Sequence, residues 1–396
     1  MTLFTPATED EAAAIIRDAM GDRRPLALAG GGTRAGLGRP VQAADTLATT
    51  ALAGITLYEP AELVIGARAG TPLAEIEAAL AERGQMLPFE PMDHRALYGT
   101  AGEPTIGAVA AGNVSGPRRV QAGAARDHLI GVRFVNGRGE VVKSGGRVMK
   151  NVTGLDLVKL SAGALGTLGL LTEVVFKVLP RPEARLTLGW HGLDDEAAVA
   201  LMSAALGSPF EISAAAHLPA PVNGGRALTL LRIEAVSYSV EHRAKGLAAL
   251  LAGHGQPDRL PVETADPLWR AIRDGEPVAA DAAHAVWRLS LPATRSPAAL
   301  AAIRDGIDGA TWFYDWGGGL AWLAVPSQGD AGAAIVRAAI RGFGGHATLV
   351  RAPDAVRTSV DVFEPLSEPL MAITRGLKAS FDPAGILNPG RMYSGS

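Results

Sequence analysis

Apolar positions first mark a helix near the start of the chain. Ala12, Ile15, Ile16 and Met20 recur at helical spacing, and Thr8 with Glu11 supplies a capping box ahead of them. A short apolar strand, Pro25 to Ala29, follows Gly21, and Leu63 to Ala67 reads as another. Thr71 is placed to cap a second helix with Pro72 at its first position, Leu73, Ile76 and Leu80 as its inner face, and Gly84 as its stop. Val132 to Val135 and Glu140 to Val142 flank Asn136-Gly137 and read as a hairpin. Glu173 to Leu179 is a further strand, closed by Pro180 and Pro182. Between Val41 and Thr50 the pattern predicts no firm strand.

Around Arg181 to Ala184 the texture changes. Glycine-rich turns give way to a stretch richer in Ala, Trp and Pro, which runs to about Ala372 before turn-dense sequence returns. This predicts an N-terminal cofactor domain over 1–183, a cap over 184–372, and a C-terminal return over 373–396. The apolar run from Leu160 to Thr172 is too short for a membrane span, which takes about 20 residues. Met1 to Pro6 lacks the features of a signal peptide, so a cytoplasmic protein is expected.

Composition narrows the chemistry. A net charge of −3 without Lys/Arg blocks gives no sign of nucleic-acid binding. There is no cysteine, which excludes disulfides, cysteine-ligated iron–sulfur clusters and cysteinyl-linked flavin in this chain. The eight histidines include no H-x-H or H-x₃-H pair, so no metal is expected.

The strand at Pro25 to Ala29 runs into Gly30-Gly31-Gly32-Thr33-Arg34, with Gly36 and Gly38 beyond. Such a loop can turn several backbone N–H groups toward one pyrophosphate. Gly30, Gly32 and Ala35 satisfy G-x-G-x-x-A, but Gly36, Gly38 and Pro40 break any helix there, so this phosphate loop stays a loop. A second small-residue stretch, Thr105-Ile106-Gly107-Ala108 to Gly112-Asn113, allows close backbone approach to a ligand. Arg126-Asp127, Lys150-Asn151, and Gly166-Thr167-Leu168-Gly169-Leu170-Leu171-Thr172-Glu173 complete the series. Each alone reads as a tight turn; their order and spacing point to one site.

In that order the chain resembles the FAD-binding domain of the vanillyl-alcohol oxidase, or para-cresol methylhydroxylase-type, superfamily. Gly116-Pro-Arg-Arg119, Val148-Met-Lys-Asn-Val-Thr-Gly154, Asp315-Trp-Gly-Gly-Gly-Leu-Ala-Trp322 and Asn388-Pro-Gly-Arg-Met-Tyr393 narrow the resemblance. It is then to the FAD-binding subunit of bacterial glycolate oxidase, along essentially the whole chain. The resemblance implies an α+β fold: a two-part FAD-binding domain plus an α+β cap. It implies non-covalent FAD at Gly30, Gly31, Gly32, Thr33, Arg34, Thr105, Ile106, Gly107, Ala108, Gly112, Asn113, Arg126, Asp127, Gly169, Leu170 and Asn388. It also implies a larger FAD-containing subunit and an iron–sulfur subunit as partners, an assembly at the inner membrane surface through them, and a small 2-hydroxy acid as substrate.

For the chemistry itself the residues leave alternatives open. His346 is either the base for the hydroxyl proton or a structural histidine. Lys150 and Asn151 either hold the substrate carboxylate or fix their loop. Trp312, Phe313, Tyr314, Trp316 and Trp322 either roof the flavin or form core. Leu155 stands where the family usually has tyrosine, and Ala108 replaces the second glycine of Thr-Ile-Gly-Gly. A subunit that oxidises 2-hydroxy acids, a scaffold that supports a larger partner, and an FAD oxidoreductase for an alcohol or sugar are the three readings.

Overall fold

In the computed structural model, which describes residues 2–146 and 154–395, helix α1 (Glu9–Gly21) starts at the expected cap. Thr8 Oγ1 accepts from the Glu11 N–H at 3.2 Å, and Glu11 Oε2 accepts from the Ala7 N–H at 2.7 Å. Ala12, Ala13, Ile16 and Ala19 are the buried positions; Ile15 and Met20 are half-buried at the edge of the same core. That core includes Leu26, Leu28 and Leu47 of a parallel three-stranded sheet. Its strands are β1 (Leu3–Phe4), β2 (Leu26–Ala29) and β3 (Asp45–Ala48), in the order β1-β3-β2. β3 corrects the expectation for Val41 to Thr50. A four-residue strand carries little signal alone, and this one exists because it is paired on both sides. Asp45 at its start accepts from the Thr2 N–H at 3.0 Å and pairs with Arg24.

The second sheet is antiparallel, in the order β4-β5-β8-β6-β7. It comprises β4 (Ile55–Glu59), β5 (Val64–Arg68), β6 (Leu129–Val135), β7 (Val141–Gly145) and β8 (Leu170–Lys177). Helix α2 (Leu73–Glu82) buries Leu73, Ile76 and Leu80 as expected, but Thr71 does not cap it. The Thr71 hydroxyl donates to the Arg68 carbonyl at 2.7 Å and accepts from the Gly54 N–H at 2.9 Å, fastening a loop instead. The β6–β7 connection is longer than a two-residue turn. Asn136 N–H bonds the Glu140 carbonyl at 3.0 Å, and the left-handed residue is Gly139, at φ +72°. Helix α3 (Ile106–Gly112) covers part of this layer.

The third sheet is antiparallel and eight-stranded, in the order β12-β9-β11-β10-β14-β15-β13-β16. Its strands are β9 (Ala184–His191), β10 (Ala214–Leu218), β11 (Leu228–Ala235), β12 (Asp258–Leu260), β13 (His284–Ser290), β14 (Thr311–Asp315), β15 (Leu320–Pro326) and β16 (His346–Arg351). Alternation divides its side chains between two cores. Leu231, Trp287, Leu323 and Leu349 pack with Val199, Leu247, Leu300 and Val336 from helices on the outer face. Ala214, Val286, Phe313 and Trp322 share the inner core with Ile65, Phe89, Leu97 and Trp269. That inner face meets the layers carrying the glycine loop.

Helix α4 (Glu368–Phe381) brings the chain back to the first sheet. Leu26 N–H donates to the Ile386 carbonyl at 2.8 Å, and Asn388 N–H to the Leu26 carbonyl at 3.0 Å. Among the described residues, no helix is long and apolar enough to cross a membrane.

Candidate active site

β2 ends at Ala29, and Gly30 to Gly38 leave it as a loop without a helix. The backbone N–H groups of Gly30, Gly31, Gly32, Thr33 and Arg34 meet no acceptor among the described residues. The packing explains the glycines. A Cβ on Gly31 would lie 1.8 Å from the Glu103 carbonyl oxygen, and Gly32 sits at φ +79° with open space in front. A run of free donors on a strand-to-loop turn is a seat for an anion.

The loop walls a cleft with about 300 Å³ of free volume, within the range of small-molecule pockets. Gly30, Gly31, Gly32, Thr33 and Arg34 line it on one side, Gly107, Ala108 and Gly112 on another, and Gly169 and Leu170 on a third. Thr105 and Ile106 lie just behind. The Thr105 hydroxyl is buried without a partner, where a Cβ on Gly30 would come within 2.3 Å of it.

Other expected site residues sit outside the lining. Asn113 Oδ1 accepts from the Arg126 N–H at 2.8 Å, and Asp127 Oδ2 from the Ala124 N–H at 2.8 Å. Arg126 and Asp127 are themselves exposed. Asn388 uses its amide on the frame of the cleft. Its Oδ1 accepts from Leu28 N–H and its Nδ2 donates to the Leu165 carbonyl, both at 2.8 Å. Lys150 and Asn151 lie outside the described residues.

Beyond Arg34, sequence reasoning missed the arginines around the loop. Arg34, Arg39 and Arg391 line the cleft, and Arg357 donates to the carbonyls of Gly36 and Gly38. Arg34 is buried with Nη1 unpartnered, and burial pushes its guanidinium down to about 10, still a cation at neutral pH. Its Nε–H donates to His94 Nδ1 at 3.1 Å. Burial first, then the Arg34 charge, hold His94 well below the ordinary histidine range. Arg391 stands two residues after Pro389 in the C-terminal Asn-Pro-Gly-Arg, a signal that could have marked it. Free backbone donors, lining arginines that pair with no carboxylate among the described residues, and Cβ-free walls fit a pyrophosphate-bearing cofactor.

Comparison with known proteins agrees. A family model described as "FAD binding domain" matches residues 2–145. The Escherichia coli protein "Glycolate oxidase subunit GlcE" is 39% identical over 383 residues, 96% of this chain and 95% of that protein. This chain belongs to the GlcE family. FAD is its cofactor, and it is an FAD-dependent oxidoreductase. A further relative matches part of the chain. "Glycolate oxidase subunit GlcD" of Bacillus subtilis is 28% identical over 47% of this chain and 38% of its own length. Among solved structures, 4-ethylphenol oxidase from Gulosibacter chungangensis superposes with a TM-score of 0.73 at 14% identity, covering 98% of this chain and 88% of that one. Alkyldihydroxyacetonephosphate synthase gives 0.71 at 16%, covering 98% and 76%. These two share the α+β fold.

The aromatic run divides. Phe313, Tyr314 and Trp322 are buried core, whereas Trp316 is half-buried between arginines. His346 opens β16 at the sheet edge, exposed, and its imidazole makes no hydrogen bond among the described residues. Partial desolvation by the surrounding protein, then the charges of Arg288 and Arg119, hold it below the ordinary histidine value, opposed in part by Glu364.

Proposed function

We propose that this chain is the FAD-binding subunit of a glycolate-oxidising complex and that it dehydrogenates a small 2-hydroxy acid. The observation that carries the reading is the run of free N–H donors at Gly30 to Arg34, in a chain alike along its length to a glycolate oxidase subunit. Residues 1–183 and 373–396 would hold FAD, and 184–372 would cap it.

In this mechanism the glycine-loop N–H groups take the pyrophosphate, with Arg34 and Arg391 balancing its charge. Gly107, Ala108 and Gly112 let the chain run close along the cofactor, and Gly169 and Leu170 pass it by their backbone. Thr105, Ile106, Asn113, Arg126, Asp127 and Asn388 support that wall from behind. Bound FAD supplies a hydride acceptor. With that acceptor in place, oxidation of a 2-hydroxy acid to a 2-oxo acid would ask of this chain's residues a base for the hydroxyl proton. His346, neutral at pH 7 because its proton affinity is depressed, serves as that base. A larger flavin chain and an iron–sulfur protein would be the partners that receive the electrons.

Co-expression with those two chains tests the relay. The three should co-purify, and anaerobic glycolate should reduce the iron–sulfur centre; a chain that purifies alone contradicts it. One observation favours a scaffold instead: Leu155, where relatives of this type carry tyrosine, is 82% exposed and adds no hydroxyl to a site.

A further inference from the structure

The loop Gly116-Pro117-Arg118-Arg119 sends its two arginines to different fates. Arg118 donates to Glu234 Oε2 at 2.8 Å. Arg119 reaches no carboxylate among the described residues; its guanidinium lies over Trp316, 4.5 Å from the ring centroid. Arg288, from β13, lies against the same indole at 5.0 Å and also has no hydrogen bond or ion pair among the described residues. Trp316 is held between them by Nε1–H donating to the Gly116 carbonyl at 3.0 Å. Its own N–H donates to Asp315 Oδ1 at 2.7 Å.

Two cations on one indole repel each other, and burial leaves each poorly hydrated. Of the acids whose charges reach them, Asp315 near Arg288 is buried with its carboxyl pushed up to about 7, and Asp127 near Arg119 already accepts from the Ala124 N–H; neither forms an ion pair with these arginines among the described residues. Glu90 is committed to Arg232 and the Arg118 N–H, and Glu364 to Arg337 and the Ala347 N–H. Stacking on an aromatic face leaves the N–H edge of a guanidinium free for a planar anion.

The register places this pair beside the candidate base. Arg288 pairs with Thr348, and Ser290 with His346, so Arg288 and His346 project from one face as diagonal neighbours. Val286, two residues before Arg288, belongs to the inner core, so that face looks toward the glycine loop. His94, which bonds Arg34 of the cleft, also feels the Arg288 charge, so the arginine pair lies within electrostatic reach of the cleft wall.

We infer that Arg119 and Arg288 seat the carboxylate of the 2-hydroxy acid, with its hydroxyl turned toward His346. This rests on the function proposed above and adds the residues that select an acid over a plain alcohol or sugar.

The test is calorimetric titration of oxalate into the full-length, FAD-loaded protein, with FAD content and melting temperature measured alongside. Wild type should bind oxalate saturably. R119Q and R288Q should each weaken it at least about tenfold at unchanged FAD content, the loss of a charge-assisted bond. R119K and R288K, which keep the charge but lose the fork, should fall between, and they serve if a glutamine variant loses its fold. No oxalate binding by wild type, or equal binding by the variants, overturns the inference. Arginine-dependent oxalate binding by a protein that holds no FAD would sink the cofactor reading and leave the seat standing.

Discussion

Arg34 donates its Nε–H to Nδ1 of His94 across 3.1 Å, and the same ring nitrogen lies 3.3 Å from the Met92 carbonyl. A guanidinium can only donate, so toward Arg34 the His94 Nδ1 is the acceptor. The ring stacks on Tyr98 at 5.9 Å and 7°, and the Tyr98 hydroxyl donates to the Val350 carbonyl at 2.8 Å. The glycine loop is thus tied to strand β16 of the eight-stranded sheet.

The pair makes stability pH-dependent. His94 stays neutral when folded but takes a proton near pH 6.5 when unfolded. The unfolded chain therefore binds more protons below that pH, and stability falls as pH drops from about 6.5 toward the depressed folded value. Melting temperatures from pH 7.5 to 5 should decline more steeply for wild type than for H94Q. Parallel curves would contradict the assignment.

Asp315 should act in the opposite direction. It is 2% exposed, and burial, then the nearby Glu90 charge, push its carboxyl up to about 7. The unfolded group ionises near the ordinary aspartate value while the folded one keeps its proton. Stability contributed by Asp315 is therefore lost as pH rises from about 4 toward 7. D315N, which can still accept from the Trp316 N–H, should gain melting temperature relative to wild type at pH 8 and little at pH 4.

Gly31 tolerates no side chain. With the Glu103 carbonyl oxygen 1.8 Å from the point a methyl carbon would occupy, G31A should destabilise by about 1–3 kcal/mol and lower FAD retention. Urea midpoints and FAD fluorescence on gel filtration check both effects.

Asn388 should matter for the frame of the cleft. N388A strands a buried N–H on Leu28 and a carbonyl on Leu165, and should cost about 2–4 kcal/mol in urea unfolding. Lys378, whose Nζ donates to Asp382 and to the carbonyls of Thr167 and Leu387, fastens the same C-terminal return.

If His346 is the base, its protonation sets the acid limb of glycolate turnover. Because its folded proton affinity is depressed, kcat/KM should rise with pH with a midpoint below the ordinary histidine value of 6.5. H346Q should lose that limb together with about 10²–10⁴-fold in rate. An unchanged profile would return His346 to a structural role.

Local chemistry made part of this legible in sequence. The cap at Thr8, the faces of α1 and α2, and the glycine loop each depend on residues within one or two turns of each other. Strand β3 was hidden because its stability comes from Leu3–Phe4 and Leu26–Ala29, far from it in the chain. Thr71 resembled a cap because nothing local shows that Gly54 would claim its hydroxyl. The meeting of Arg119, Arg288 and Trp316 is longer in range still, and only the folded sheet brings it about.

The most direct measurement is the visible spectrum of the separately expressed, FAD-loaded chain before and after anaerobic glycolate. Bleaching of the flavin bands is predicted, with bleaching slowed in R288Q and H346Q. A fully loaded flavin whose spectrum glycolate leaves unchanged would contradict oxidation by this chain and move the chemistry to its partner.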